Sequence, residues 1–246
     1  MILSVFSFWW FVIIAFCVGL CVGIPLFFRS RPSKEKQDFL FKLSLFTIVF
    51  FTLYKIWLFL DPTYETSIWE ELPTNLCNVA VLCMPLAVKK DWTWLRALLF
   101  FECPLGGVMA LLMPSEGFYD VPVYLLRNIG YWGTHILVVV LCVSLVTLGI
   151  YRPKFKDIPL AIGALFTLAF LNHILNTILR ATVCAESNFC FTYGIEGNPV
   201  TELMMKLIPV PFLFLLPAAI PLFFVNLGCF GLAKLKRNDV FAKDRK

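Results

Sequence analysis

The sequence predicts an all-α, polytopic membrane protein: a seven-transmembrane-helix bundle with its N-terminus outside and its C-terminus in the cytoplasm. Three observations predict it. Hydrophobic residues make up 60% of the 246-residue chain, whereas soluble domains carry roughly half. Apolar runs long enough for a bilayer core of about 30 Å recur from end to end. Basic residues are concentrated in alternate connections between these runs, a pattern typical of membrane proteins.

Seven apolar runs follow one another, and a helix needs about 20 residues to cross the bilayer. The runs cover about 3–28, 39–60, 72–88, 93–113, 129–150, 158–180 and 207–233. The third is the shortest. Residues 114–128 are expected to lie outside the helices, since "MPSEGFYDVP" is rich in turn residues and Arg127 and Asn128 precede the next run. No repeat interrupts this pattern, so residues 1–246 form a single transmembrane domain.

Charge predicts the orientation of the bundle. Most of the 21 Lys and Arg residues lie in 29–42, 89–96, 150–158 and the tail from Lys234 onward. The remaining connections carry acidic residues, namely Asp61, Glu65, Glu70, Glu71, Glu116, Asp120, Glu186, Glu196 and Glu202. Positively charged loops stay in the cytoplasm. The first connection is therefore cytoplasmic, and the protein is integral and multi-pass, in the plasma membrane if the cell is bacterial.

Composition and charge argue against nucleic-acid binding and indicate the role of the cysteines. The net charge of +5 does not indicate nucleic-acid binding, because the basic residues lie in short loops between apolar spans. Most of the nine Cys lie inside apolar runs, where Cys acts as a small hydrophobe. Cys184 and Cys190 lie in the outer connection 181–206, where an oxidising environment favours a disulfide; two unpaired thiols are the alternative.

Polar residues on four predicted helices fall at one depth. At a rise of about 1.5 Å per residue, they lie roughly 6–12 Å below the outer boundary. These residues are Lys55, Cys77, His135, Asn172, His173 and Asn176. Polar side chains in a membrane normally face the bundle interior or a wet cavity, so the sequence predicts a polar pocket open to the outer leaflet. For each Asn or His alone, a hydrogen bond between helices is the alternative. For Lys55 the alternative is a side chain that extends to the outer boundary, and for Cys77 it is a packing role.

A Cys and a His in one pocket form a nucleophile–base combination. An imidazole can hold a neighbouring thiol as the reactive thiolate, which makes Cys77 and His135 the candidate catalytic residues. Groups that would orient the ring, bind substrate or stabilise an oxyanion are Asn75, Asn78, Asn172, His173, Asn176 and Asn188. Two His and one Cys are too few for a metal site, and no cofactor is expected.

Glu102 lies deeper than this pocket, near mid-membrane, in "FFECPLGG". An acid inside a membrane is a functional candidate; a protonated, hydrogen-bonded structural acid is the alternative. Pro104 and the following Gly106-Gly107 pair predict a kinked or closely packed helix.

Several short motifs recur in a recognisable order. They are "LPTNLC" (72–77), "LLFFECPLGGVMALLMP" (98–114), "GTHILVVV" (133–140), "YRP" (151–153) and "NFCF" (188–191), with Pro199 downstream. Over roughly residues 70–200, this order resembles the YwaF-type family of bacterial integral membrane proteins, which includes a vertebrate acyltransferase that remodels ether phospholipids. The resemblance implies a catalytic Cys–His pair at Cys77 and His135.

The chain departs from the bacterial pattern at Asn75, where the family usually has a second His. His135 alone, or His173 in its place, would then serve as the base. The family is also similar in architecture to small membrane lipid hydrolases with a Thr–His pair, which implies a lipid acyl ester as substrate.

The sequence therefore predicts a lipid acyltransferase, transacylase or hydrolase that works through an acyl-Cys77 intermediate. Its expected partner is a membrane phospholipid or lysophospholipid; acyl-CoA fits an outward-facing pocket less well. No nucleic acid is expected, and no protein partner is specified. A non-catalytic membrane scaffold is one alternative. A proton-coupled transporter using Glu102 is another, although the chain has no matching inverted halves.

Overall fold

A computed structural model describes residues 2–115, 117–194 and 199–243; for residues 199, 200 and 236–243 it describes the backbone only. The described chain is mainly helical, which confirms the all-α prediction. Glu116 and Glu196 of the acidic connections, and Arg245 and Lys246 of the basic tail, lie outside the described residues.

The helices follow one another along the described ranges. They are α1 Phe8–Phe27, α2 Ser33–Leu60, α3 Leu76–Lys89, α4 Thr93–Phe101, α5 Cys103–Leu112, α6 Leu126–Thr147, α7 Asp157–Thr182, α8 Pro199–Leu207 and α9 Ala219–Lys243. Two short 3-10 helices, Phe189–Phe191 and Leu213–Ala218, lie before α8 and α9.

The first helix begins later than the predicted run 3–28. The short strands β1 (Ile2–Leu3) and β2 (Val121–Pro122) pair antiparallel, with Leu3 opposite Val121. The N-terminal residues are therefore held on the connection before α6. α1 starts after Ser7, whose side chain accepts a hydrogen bond from the Trp10 N–H at 3.3 Å, as a helix N-cap does.

Six segments of the described chain are long and apolar enough to cross a membrane, with α4 and α5 forming one segment, Thr93–Leu112. They correspond to six of the predicted runs and indicate an integral, multi-pass membrane protein. The predicted run 72–88 contains α3, which has 14 residues. A helix of that length rises only about 21 Å, less than a bilayer core of about 30 Å. The count of seven spans and the orientation of the termini stay predictions.

Two predicted spans contain breaks. Glu102 separates α4 from α5, and Pro104 lies in the first turn of α5, where the missing N–H costs nothing. The predicted kink in this span is thus an interruption at Glu102. The run 207–233 begins with the end of α8, and α9 starts only at Ala219. Pro209 and Pro211 lie between them and cannot continue a helix.

The prediction that Arg127 and Asn128 lie outside the helix is wrong. α6 begins at Leu126, and both side chains are buried. Arg127 Nη1 donates to the Thr63 carbonyl at 2.9 Å and the Thr63 hydroxyl at 2.7 Å. Asn128 Nδ2 donates to the Pro122 carbonyl at 3.1 Å. Polar groups tolerate burial when they are hydrogen-bonded, and the partner of Arg127 comes from 64 residues earlier in the chain.

α6 is the central helix of the described bundle, and α1, α2, α3, α4 and α5 all pack against it. Glycine allows the closest of these approaches. A Cβ added at Gly130 of α6 would lie 2.0 Å from Tyr54 Cδ2 of α2, a separation that real atoms do not adopt. The Tyr54 ring therefore packs directly on the backbone of α6.

Gly130→Ala is expected to lower the free energy of unfolding by about 1–3 kcal/mol, because the new methyl group must displace the Tyr54 ring. Gly163→Ala on α7 is the matched control, since its Cβ would meet no atom within 4 Å. The control should be neutral or gain up to about 1 kcal/mol from helix propensity. Thermal unfolding of both variants in detergent measures the difference, and equal midpoints would contradict the close α2–α6 packing.

Candidate functional site

The Cys77 thiol lies in the first turn of α3, which begins at Leu76. Among the described residues, the N–H groups of Cys77 and Asn78 have no backbone acceptor, as expected for a first helical turn. They and the helix dipole give this end of α3 a partial positive charge. Cys77 is densely surrounded by protein, and as a residue it is half-buried.

The His135 imidazole lies on α6 in a defined tautomer. Its Nδ1 is 2.8 Å from the Tyr131 carbonyl oxygen. A carbonyl can only accept, so Nδ1 carries the proton and Nε2 keeps a lone pair. Within the described chain, Nε2 has no hydrogen-bond partner. The ring packs on the Tyr131 ring at a centroid distance of 4.4 Å and is half-buried. This arrangement leaves Nε2 free to accept a proton.

The glycine pair of α5 lies between the two helices that carry these groups. A Cβ at Gly106 would lie 3.6 Å from Cys77 Sγ, and one at Gly107 would lie 3.4 Å from the His135 carbonyl oxygen. Tyr131 also joins α6 to α5, since its hydroxyl donates to the Ala110 carbonyl at 3.2 Å. No hydrogen bond between described atoms joins the thiol to the imidazole.

The two asparagines that flank Cys77 differ in their contacts. Asn75 Oδ1 accepts a hydrogen bond from the Cys190 N–H at 2.8 Å, so this oxygen is already used. The Asn75 amide nitrogen and the whole Asn78 side chain have no hydrogen-bond partner in the described structure, and both residues are half-buried. Asn78 is therefore the flanking amide with the most unused hydrogen-bonding capacity beside the thiol.

Cys190 brings the outer connection onto the start of α3. Its sulfur lies 3.5 Å from Asn172 Nδ2 and 3.9 Å from the Thr74 carbonyl oxygen. Burial raises the pKa of the Cys190 thiol to about 11, so it is uncharged at neutral pH. Cys190 and Cys184 are both free thiols, so the disulfide considered for them is not formed. The contacts of Cys190 are with α3 and α7.

Asn172 joins α7 to the segment before α3. Its Nδ2 donates to the Thr74 carbonyl at 3.1 Å and to the Leu168 carbonyl at 3.0 Å. Asn172 Oδ1 and Thr74 Oγ1 are buried and have no partner among the described residues. Buried polar groups normally find a partner, so this contact, which includes Thr74 three residues before Cys77, holds two unsatisfied polar atoms.

Asn176 holds the outer connection to α7. Its Nδ2 donates to the Phe189 carbonyl and the Thr192 hydroxyl, each at 2.9 Å. Its Oδ1 accepts from the Ser187 hydroxyl at 3.0 Å and the Phe189 N–H at 2.9 Å. All four hydrogen bonds of the amide are made, so Asn176 fixes the connection that carries Cys190.

His173 of α7 and Asn188 of the outer connection do not contact Cys77 or His135 by hydrogen bonds. His173 Nδ1 lies 3.3 Å from the Thr192 hydroxyl. Asn188 Nδ2 donates to the Gly194 carbonyl at 2.6 Å, and its Oδ1 accepts from the Tyr193 N–H at 2.9 Å. Their described contacts hold the loop together.

Glu102 forms a separate buried pair with α9. Asn226 Nδ2 donates to Glu102 Oε1 at 2.6 Å, and both side chains are almost fully buried. Glu102 Oε2 and Asn226 Oδ1 have no partner in the described structure. No hydrogen bond connects this pair to Cys77 or His135. The described residues also contain no group of three His, Cys, Asp or Glu that could hold a metal ion.

A family model matches residues 5–227 of the chain, which is most of its length, and its description is the TMEM164 family. The chain belongs to the TMEM164 family. No curated protein and no solved structure matches it. The resemblance of this TMEM164-family protein to the YwaF-type family stays a prediction.

Two neighbours of the candidate pair in this TMEM164-family chain were not predicted. Tyr131 lies four residues before His135, so the two share one helix face; that spacing was an available signal. Thr74 approaches Asn172 only because the connection before α3 folds against α7. No local pattern in the sequence indicates that contact.

Asn176→Ala is expected to lower the free energy of unfolding by more than about 2 kcal/mol, because buried groups of the outer connection lose their partners. Protease cleavage within 184–194 should rise with it. Thr177→Ala is the control on the same helix, since Thr177 is exposed and its side chain bonds only the His173 carbonyl and the Tyr193 hydroxyl. Equal protection of both variants in limited proteolysis would contradict this role of Asn176.

Acid should weaken the contact between the 61–64 connection and α6. The Thr63 hydroxyl, then the Thr63 N–H and Arg127, hold the pKa of Asp61 below its ordinary value, although burial acts in the opposite direction. A carboxyl group whose pKa is lowered by folding stabilises the folded state at pH values above its ordinary pKa. This stabilisation is lost as the pH falls through the lowered pKa of the folded state. The thermal midpoint should therefore fall below about pH 4, and Asp61→Asn should flatten that fall.

The control for this pH dependence is Asp38→Asn, because the Asp38–Lys89 pair is 3.7 Å apart and half-exposed. Exposed pairs contribute little to stability. An acid-induced fall of the same size in Asp61→Asn and wild type would show that Asp61 is not responsible.

Proposed function

We propose that the protein is a membrane-embedded lipid acyltransferase or transacylase, or a lipid hydrolase, with Cys77 as the nucleophile and His135 as the base. One observation carries the proposal: a half-buried cysteine at the start of α3 and an imidazole with a free Nε2 lie on helices that pack against adjacent glycines of α5, α3 against Gly106 and α6 against Gly107. Membership of a membrane-protein family agrees with a substrate that resides in the bilayer.

In the first half-reaction, His135 Nε2 takes the proton of the Cys77 thiol. The thiolate attacks the carbonyl carbon of a lipid acyl ester, a C–S bond forms, and the ester C–O bond breaks. The imidazolium then gives its proton to the departing lysolipid oxygen. A base is required because the thiol lies among packed side chains, where the thiolate is not formed readily without a partner.

In the second half-reaction, the hydroxyl of a lysophospholipid gives its proton to His135 and attacks the acyl-Cys77 thioester. The C–S bond breaks, and the thiolate recovers the proton from the imidazolium. Water in place of the lysolipid gives hydrolysis. A thiolate leaves more easily than an alkoxide, so a thioester is a suitable acyl carrier for both outcomes.

The first turn of α3 supplies groups for the oxyanion of each tetrahedral intermediate. The N–H groups of Cys77 and Asn78 lack backbone acceptors, and the Asn78 amide lacks a partner among the described residues. Donors aimed at a developing negative charge are the largest contribution to many acyl transfers. The Tyr131 carbonyl keeps the His135 ring in the required tautomer.

The proposal includes seven spans, with the N-terminus outside and the C-terminus in the cytoplasm. The alternation of basic and acidic connections supports it. In this orientation the start of α3 faces the outer leaflet, so a phospholipid is the expected acyl donor. In a bacterial cell the protein would lie in the plasma membrane.

Transfer of a labelled acyl chain from phospholipid to lysophospholipid in proteoliposomes tests the proposal. Cys77→Ala should abolish transfer, and His135→Gln should slow it by about a hundredfold or more, the usual contribution of a general base. Mass spectrometry of the wild type with donor lipid alone should detect an acyl group on Cys77 that hydroxylamine removes.

Cys83→Ser, two turns further along α3, is the matched control and should keep wild-type transfer. Full activity of Cys77→Ala would overturn the proposal. Loss of activity in Cys83→Ser together with a lowered thermal midpoint would point to a structural role of the α3 cysteines.

A further inference from the structure

α1 and α2 are consecutive helices that diverge from a shared end. They are joined by the short connection 28–32, yet few close contacts join them, and α1 packs mainly on α6. The rings of Phe28 and Phe39, with centroids 4.4 Å apart, pack on each other where α1 and α2 meet the connection 28–32. Beyond them lies a groove of about 370 Å³.

Glycines form the floor of this groove. A Cβ at Gly19 or Gly23 would meet no atom within 4 Å, so backbone is exposed where other helices carry side chains. Aliphatic side chains and Phe27 form the remaining wall. Val22 and Leu26 beside it are exposed, so this face of α1 points toward the hydrocarbon. Water has no polar partners in such a groove, and an apolar chain is the chemistry that fits it.

The end of the groove beside the connection 28–32 is flanked by basic residues. Arg29 and Lys34 are exposed, and neither side chain has a partner among the described residues. Arg31 lies over the Phe27 ring at 5.8 Å and 3.7 Å from Glu35. Unpaired cations at the end of a membrane-facing groove attract anionic lipid head groups.

We infer that this groove binds one acyl chain of an anionic phospholipid, with the lipid phosphate against Arg29 and Lys34. The site is separate from Cys77 and His135 and does not depend on the proposed acyl transfer. The spacing of Gly19 and Gly23 also suits packing against a second transmembrane helix. A second copy in parallel orientation would, however, bring two sets of unpaired cations together, and that repulsion favours the lipid.

The test uses the full-length protein in mixed micelles with equal amounts of phosphatidylglycerol and phosphatidylcholine of the same chain length. Native mass spectrometry then counts the lipids that stay bound. Wild type should retain roughly thirty times more phosphatidylglycerol than phosphatidylcholine, the preference expected from two cations near the phosphate at about 1 kcal/mol each. The double variant Arg29→Gln with Lys34→Gln should lose this preference, and the control Lys154→Gln with Lys156→Gln should keep it.

Larger side chains in the groove test whether it binds an acyl chain. The double variant Gly19→Leu with Gly23→Leu should lose the retained lipid, and the control Gly163→Leu, which also points into open space, should keep it. A photoactivatable phosphatidylglycerol should label wild-type peptides within 19–39, which tests the site even if the filled variant fails to fold.

Three results would overturn the inference. They are equal retention of both lipids by wild type, full retention by a folded groove-filled variant, and labelling confined to other helices. A wild-type dimer that becomes a monomer on filling the groove would also overturn it, because a second copy would then be the occupant.

Discussion

The bundle around Cys77 depends on the close approach that two residues without side chains allow. A Cβ at Gly107 would lie 2.7 Å from Val139 Cγ2 on α6, and one at Gly106 would lie 3.3 Å from Leu76 Cδ2 on α3. A methyl group at Gly107 would force Val139 to shift, and one at Gly106 would crowd Leu76. The positions of α3 and α6 around the thiol and the imidazole therefore depend in part on α5, which carries neither group.

Hydrogen bonding explains most of the other polar residues in the outer half of the bundle. Asn176 is fully satisfied, and Asn188 and His173 bond within or onto the outer connection. Such residues have a structural role that needs no chemistry, as polar groups between membrane helices often do. Cys77, His135 Nε2 and Asn78 differ, because each keeps accessible surface and an unused polar atom. Asn172 has features of both sets, because its Nδ2 donates to the Thr74 carbonyl and its Oδ1 has no partner among the described residues.

Hydropathy located six of the spans because the cost of placing a residue in lipid is a local property of the chain. The start of α6 could not be predicted in the same way. Arg127 is tolerated inside the helix because Thr63, 64 residues earlier, accepts its hydrogen bonds and Asp61 lies 3.5 Å away. The buried Glu102 carboxylate likewise accepts from Asn226, 124 residues later. Hydropathy does not identify such partners.

Depth along a helix could also be predicted, but direction around the helix axis could not. Counting residues from the helix ends placed six polar residues at one level, yet rotation decides which of them meet. Most of the α7 residues turn toward the 184–194 connection and only Asn172 reaches Thr74. The contact that links Tyr131 to His135 lies within one helix, so its geometry follows from the spacing alone.

The shortness of α3 has a consequence for the surrounding bilayer. A helix of about 21 Å leaves roughly 9 Å of hydrocarbon thickness unmatched, and the irregular segment before it cannot face lipid unless its backbone is covered. A bilayer can accommodate a short span by thinning beside it, and thinning lowers the glycerol backbones of nearby lipids. Ester carbonyls would then approach the plane of the first turn of α3, so lipids need not leave their monolayer to reach the thiol.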